Sequence, residues 1–307
     1  MKHNIFEDCS VSTVYPNGKR KTIFDLYTEN NTMERDFSRI NTIFEKHAYA
    51  EWVDSVLSLR EVADYSFSSW KQRGRCLSFT DYLATIQYDS IVANAPHDVN
   101  DFITFIELIY NVKYFCDNRI RKKSIFSFYH DTHIVLADLM DEVLSEMNQK
   151  AYYDPETEMC LIGEDSPQVT AAIEATEPEV ASQLLQYNHR QLAGDIDKKR
   201  AILLNLANYL EGRQPELKSI CSNQLVTDLN TAFNNLDIRH NNTTPRDSSH
   251  YKAKLANVPP EELEKVYDDL YQVILLAILE MDNVERRRRI RVFIQDISQK
   301  NDKEQGK

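Results

Sequence analysis

Glycine is scarce in this chain, with six in 307 residues and only nine prolines beside them. Sandwiches and barrels need frequent tight turns, and a doubly wound α/β fold needs glycine-bearing turns between strand and helix. This chain supplies neither. Hydrophobic residues make up 42% and charged residues 27% of it, the balance of a globular rather than a disordered protein. The expected fold is mainly α, with enough length for one large domain or two ordinary ones and a sizeable core.

Apolar periodicity places the helices. Phe37, Ile40, Phe44, Ala48, Trp52 and Val56 recur three or four apart and predict one amphipathic helix. Ser78 or Thr80 caps another, and Asp98 to Asn100 open a strong one carrying Phe102, Phe105, Ile106, Ile109 and Cys116. Helices are also expected over 126–147, 178–188 and 196–211, and over a segment bearing Leu225, Leu229, Phe233 and Leu236 that ends within 241–245. After Pro259-Pro260 a final helix is expected over 261–281, with a polar, frayed tail from 298 onward. Two hairpins interrupt the pattern. Asn17-Gly18 is a turn dipeptide between apolar runs 11–15 and 19–23, and a proline-containing turn divides 152–162. Residues 1–120 are expected to form a helical N-terminal domain with a short hairpin. Residues 121–300 should form a helical bundle with a β-hairpin insertion, and 301–307 a polar tail.

The net charge of −12 disfavours non-specific nucleic-acid binding, but the charge is uneven. Between Ala151 and His189 there are eight acids and no Lys or Arg. Basic clusters stand at 119–123, 198–200 and 286–291. The last can contact RNA phosphates, or it is a solvated helix end neutralised by Glu280, Asp282 and Glu285. Five isolated cysteines without a CxxC pair read as reduced intracellular thiols. The first residues lack an apolar signal core, and no uncharged run approaches membrane-spanning length. A soluble, cytoplasmic protein with no membrane partner is expected. No Walker loop, dinucleotide fingerprint or serine nucleophile elbow is present. His130 and His133 lie one helical turn apart, near enough to share a metal, but no third ligand stands at a recognisable spacing. No metal site or cofactor is assigned.

The segment with the clearest chemistry is Asn234-Asn235-Leu236-Asp237-Ile238-Arg239-His240-Asn241-Asn242. Arginine holds negative charge with a fixed fork of donors, and histidine moves protons near neutral pH. The segment follows an apolar helix and precedes another that contains Tyr267-Asp268-Asp269-Leu270-Tyr271-Gln272. Together with the helix that starts at Lys198-Lys199-Arg200, these features resemble the HEPN-type helical domains of bacterial abortive-infection and toxin systems, over residues 121–300. The resemblance implies a dimerising four-helix bundle that sets two Arg/His motifs across a shared cleft. Many members of that superfamily are metal-independent endoribonucleases acting in antiviral defence, and others have structural or nucleotide-binding roles. In the family pattern a polar residue follows the Arg, and a second His follows a few residues later. Here His240 follows Arg239, but the next histidine, His250, lies eleven positions after Arg239. An alternative start, Arg246-Asp247-Ser248-Ser249-His250, leaves three residues between Arg and His. Either a long loop returns His250, or His240 takes its role, or the site is inactive.

The expected catalytic set is therefore Arg239, His240 and His250, with Asn235, Asn241, Arg246 and Tyr271 as substrate-binding candidates. In RNA cleavage a ribose 2′-OH attacks the neighbouring phosphate. A positioned His contributes about 10²–10⁴-fold as general acid or base, and Arg239 stabilises the charge on the phosphorus oxygens. The opposing reading pairs Arg239 with Asp237, Asp268 or Asp269 and uses His240 as a helix C-cap. RNA, a second copy of the chain, and an antitoxin or sensor protein are the partners expected. A non-catalytic dimerising interaction or sensor module is the alternative function.

Overall fold

The computed structural model describes residues 32–123, 125–240, 242–243 and 252–305. It is mainly helical, with two small sheets. The chain divides into two compact units, residues 1–151 and 152–307. The division falls well beyond the boundary expected near residue 120, because one helix runs unbroken through that point. The hairpin expected over 11–23 lies outside the described residues.

In the first unit, α1 (Met33–Glu45) starts at Thr32, whose hydroxyl accepts from the Arg35 N–H. It buries Phe37, Ile40, Ile43 and Phe44. The helix expected to continue through Trp52 and Val56 stops there. The chain instead makes β1 (Ala50–Trp52) and β2 (Ser55–Leu57), turning through Val53 at φ 49°. An apolar residue every three or four positions fits a helix, but β3 (Phe126–Phe128) pairs antiparallel with β1, and Trp52 lies 6.0 Å from Phe126. That distant strand decides the local structure. It also shortens the helix expected over 126–147, which begins only at His130.

The rest of the unit follows its caps. Ser58 and Glu61 form a reciprocal capping box for α2 (Leu59–Ser66). Ser78 caps α3 (Phe79–Thr85), accepting from the Asp81 N–H at 3.0 Å, and α4 (Tyr88–Asn94) follows. Asp98 caps α5 (Val99–Lys122), the buried spine of the unit, and α6 (His130–Glu146) comes after β3. An aromatic cluster fills the space between them, with Trp70 stacked on Phe115 at 5.3 Å.

The second hairpin forms where expected, from β4 (Gln149–Asp154), within which the two units divide, and β5 (Met159–Glu164). Prolines in the first turn start α7 (Pro167–Glu174) and α8 (Pro178–Asn188). Next come α9 (Ile196–Gly212), α10 (Gln214–Ile220), α11 (Asn223–Asn235) and the short α12 (Ala253–Ala256). The last helix, α13 (Pro260–Gln305), is far longer than the 261–281 expected. Its first half is the axis of the unit, burying Tyr267, Leu270, Tyr271, Ile274, Leu275 and Ile278 against α7, α9, α10 and α11. Arg286 pairs with Asp282 at 2.7 Å one turn earlier, as the solvated-face reading has it, while Arg287, Arg289 and Arg291 are exposed. No helix among the described residues is long and apolar enough to cross a membrane.

Candidate functional site

The motif segment is a corner built from backbone hydrogen bonds. Helix α11 ends at Asn235, earlier than the 241–245 expected, so Arg239 and His240 stand beyond the helix. Asp237 takes a left-handed conformation, φ 61°, which Asp tolerates better than most residues. The Arg239 N–H then folds back onto the Phe233 carbonyl at 3.0 Å, satisfying one of the helix's last acceptors. Asp237 and Asn242 clamp the loop between them. The Asp237 N–H donates to Asn242 Oδ1 at 2.8 Å, and the Asn242 N–H donates to Asp237 Oδ1. Asp237 is 7% exposed and Asn242 fully buried, so these bonds lie away from water.

Two other helices brace the corner. Arg200 of α9 donates from Nε to the Asp237 carbonyl and lies 3.0 Å from its Oδ2. Tyr267 of α13 donates its hydroxyl proton to the Leu236 carbonyl at 3.1 Å. Burial, followed by the nearby Asp237 charge, pushes the Tyr267 phenol up to about 12. It stays protonated at any physiological pH.

On this corner the Arg239 side chain, 15% exposed, lies over the Phe233 ring at 5.1 Å. Its Nη2 is 3.3 Å from Glu211 Oε2, a carboxylate 56% exposed at the end of α9, and its buried Nε has no hydrogen-bond partner among the described residues. The partner is therefore neither Asp237 nor Asp268 nor Asp269. His240, next in the chain, is half-buried, and the helix C-cap is Leu236 rather than His240. The other expected site residues are not brought to it. Asn235 donates its amide to Thr231 O at 2.7 Å, back onto its own helix. Tyr271 is 2% exposed, donates its hydroxyl to Leu184 O at 2.9 Å and stacks on Tyr187 at 4.2 Å. Asn241, Arg246 and His250 lie outside the described residues. Arg200 and Asn242, which hold the corner, carry no signal beyond a basic cluster and an amide-rich loop in the sequence.

The first unit holds a separate polar cluster. Tyr49, fully buried before β1, donates its hydroxyl proton to Asp117 Oδ1 at 2.5 Å. Lys113, one turn before Asp117 on α5, donates to its Oδ2 at 2.8 Å. His133 of α6 sets Nδ1 3.2 Å from the Tyr49 oxygen and 3.3 Å from Lys113 Nζ. Lys113 can only donate toward Nδ1, while the Tyr49 oxygen, whose proton is directed at Asp117, and Asp117 Oδ1 at 3.4 Å face Nδ1 as acceptors. His133 thus belongs to this network, and among the described residues no group of three or more His, Cys, Asp or Glu side chains is placed to hold a metal ion.

Burial lowers the His133 pKa from its ordinary 6.5. Asp117 opposes that shift, and Lys113, Arg121 and His130 add to it. A lowered folded-state value means the unfolded chain binds the proton first, so stability is lost as pH falls below about 6.5. His47, half-buried, is lowered by burial in the same direction. Both tryptophans, Trp52 and Trp70, belong to this unit, so their fluorescence reports its unfolding. Urea midpoints at pH 7.5 and 5.5 should converge in His133→Gln relative to wild type. An unchanged pH slope would exclude His133 as the source.

Comparison of the chain with protein-family models, with curated proteins and with solved structures gives no match.

Proposed function

We propose that the protein is a metal-independent endoribonuclease of the HEPN-like kind, an effector of defence against phage, with Arg239 and His240 as its phosphate-handling pair. The observation that carries this reading is the Arg239 guanidinium. It is held on the Phe233 ring, and among the described residues its Nε has no hydrogen-bond partner and its one carboxylate neighbour is the well-exposed Glu211. Ion pairs with an exposed partner are worth little, so an incoming phosphate can displace Glu211 at small cost. The guanidinium then faces the charge that grows on the phosphorus oxygens, and the neighbouring imidazole transfers the 2′-OH proton. The exposed arginines of α13 supply cationic surface for the RNA backbone.

A second reading has its own support. Asp237, Asn242, Arg200 and Tyr267 spend their hydrogen bonds on the chain itself, as in a structural corner of an interaction or sensor module. The two separate in one assay. Total RNA and tRNA are incubated with the protein in EDTA, beside Arg239→Ala and His240→Ala, with helix content checked by circular dichroism. The nuclease reading expects cleavage by wild type, reduced at least ~10²-fold in each variant. Cleavage that persists in both variants would overturn the site. No cleavage by folded wild type leaves the non-catalytic reading, for which sedimentation gives the oligomeric state.

A further inference from the structure

We propose that one face of α13 is the interface with a second copy of this chain, the two α13 helices forming an antiparallel coiled coil about a two-fold axis. This inference is independent of the Arg239–His240 reading. Among the described residues Met281 is the last of α13 in the core cluster of the unit, yet the helix runs on to Gln305. A helix without packing is marginal in water, so the run beyond the core calls for a partner.

The helix carries the spacing that such a partner needs. Leu276, Leu279, Asn283, Arg286, Ile290 and Phe293 follow one another in alternating steps of three and four, the a and d positions of a heptad. Leu276 is 50% exposed, Ile290 59% and Phe293 65%, while Leu279 and Asn283 are half-buried.

Charge decides the occupant and its direction. In a parallel, in-register pair each residue of the stripe meets its own counterpart, so Arg286 would oppose Arg286 and two arginine-rich runs, 286–291, would lie side by side. Turned antiparallel about an axis between residues 284 and 285, the stripe is complementary to itself. Leu276 then faces Phe293 of the second copy, Leu279 faces Ile290, and Asn283 faces Arg286, from which its side-chain oxygen can accept. Each of these contacts occurs twice. Ile297 continues the stripe and meets Gln272, a mixed layer at either end. On the flanks Asp282 falls beside Arg289 of the second copy and Glu280 beside Arg287, giving four pairs of opposite charge. Asp282 also pairs with Arg286 of its own helix, and Glu280 with the Cys221 thiol, so both acids are shared between the two copies. The same acids would oppose an anionic membrane surface.

Sedimentation of the full chain over a dilution series tests the interface. Wild type should be a dimer, Ile290→Glu should weaken association by about tenfold or more, and Arg239→Ala should leave it unchanged. Asp282→Arg and Arg289→Glu each set like charges together twice per dimer and should each weaken it by about tenfold. An equimolar mixture of those two variants should recover the wild-type affinity, because every flanking pair of the mixed dimer is again opposite in charge. Arg289 and Ile290 are exposed, so their substitution leaves the core intact, and circular dichroism checks the helix content of each variant. A monomeric wild type, whether or not it binds phosphatidylserine vesicles, would overturn the proposal. So would a dimer unaffected by Ile290→Glu, or charge variants that fail to weaken alone or to recover on mixing.

Discussion

Asp117→Ala should destabilise the first unit by about 3–5 kcal/mol, a large fraction of the 5–15 kcal/mol typical of a whole domain. The carboxylate accepts from the buried Tyr49 hydroxyl on one oxygen and from Lys113 on the other, with both ion-pair side chains about one-tenth exposed. Truncation leaves the Lys113 ammonium largely out of water and without its carboxylate, 3.3 Å from the His133 ring nitrogen. The penalty is that of an uncompensated buried charge rather than the worth of a salt bridge. Tyr49→Phe leaves the charge pair intact and should lose only about 1–3 kcal/mol. The double variant Lys113→Met/Asp117→Leu should recover most of the stability, because a buried pair replaced by apolar side chains of similar volume is often neutral. Urea unfolding followed by tryptophan fluorescence measures all four proteins. A loss below about 1 kcal/mol in Asp117→Ala would show that water reaches Lys113 and that the network contributes little.

Asp237→Ala should destabilise the second unit by roughly 2–4 kcal/mol, with two separable causes. One is conformational, since the residue sits at φ 61°, where alanine is strained. The other is the lost acceptor for the buried Asn242 N–H, together with the Thr243 hydroxyl at 3.4 Å and the Arg200 guanidinium at 3.0 Å. Asp237→Asn tolerates the left-handed backbone and keeps an oxygen for Asn242, so it should lose roughly 1 kcal/mol or less. Asp237→Gly removes the strain but not the lost hydrogen bonds and should fall between the two. The second unit contains no tryptophan, so its transition is read from helical circular dichroism, while the tryptophan signal of the first unit should stay put. If Asn proved as damaging as Ala, the clamp would depend on the charge facing Arg200 rather than on the hydrogen bonds with Asn242. On the proposed function, in which the corner presents Arg239 and His240 to RNA, cleavage should follow the same order, Asn above Gly above Ala.

The sequence by itself determined whatever is decided within about one helical turn. Ser78, Asp98, Pro178 and Pro260 start helices where their side chains say they should, since a cap acts on N–H groups two or three residues away. The hairpin around Pro155 was equally legible, as were the buried stripes of α5 and α9; in α11 Leu229 and Phe233 are buried as expected, while Leu225 is half-buried and Leu236 lies beyond the helix. Long-range pairing decided the rest. Trp52 and Val56 continue a helical stripe yet lie in strands, because β3 arrives from some seventy residues away to pair with β1. The Tyr49 hydroxyl meets Asp117 across 68 positions and His133 across 84, separations over which no periodicity carries information. The same holds at the motif. Arg239 and His240 stand out in the sequence as a chemical pair, but what fixes them is Asp237 at positive φ, held by Arg200 from another helix and sealed by Asn242. Local hydrogen bonds are satisfied by near neighbours and can be read in order along the chain. Buried charges and turned-back carbonyls are satisfied by whatever the packing brings against them, and only the tertiary structure decides what that is.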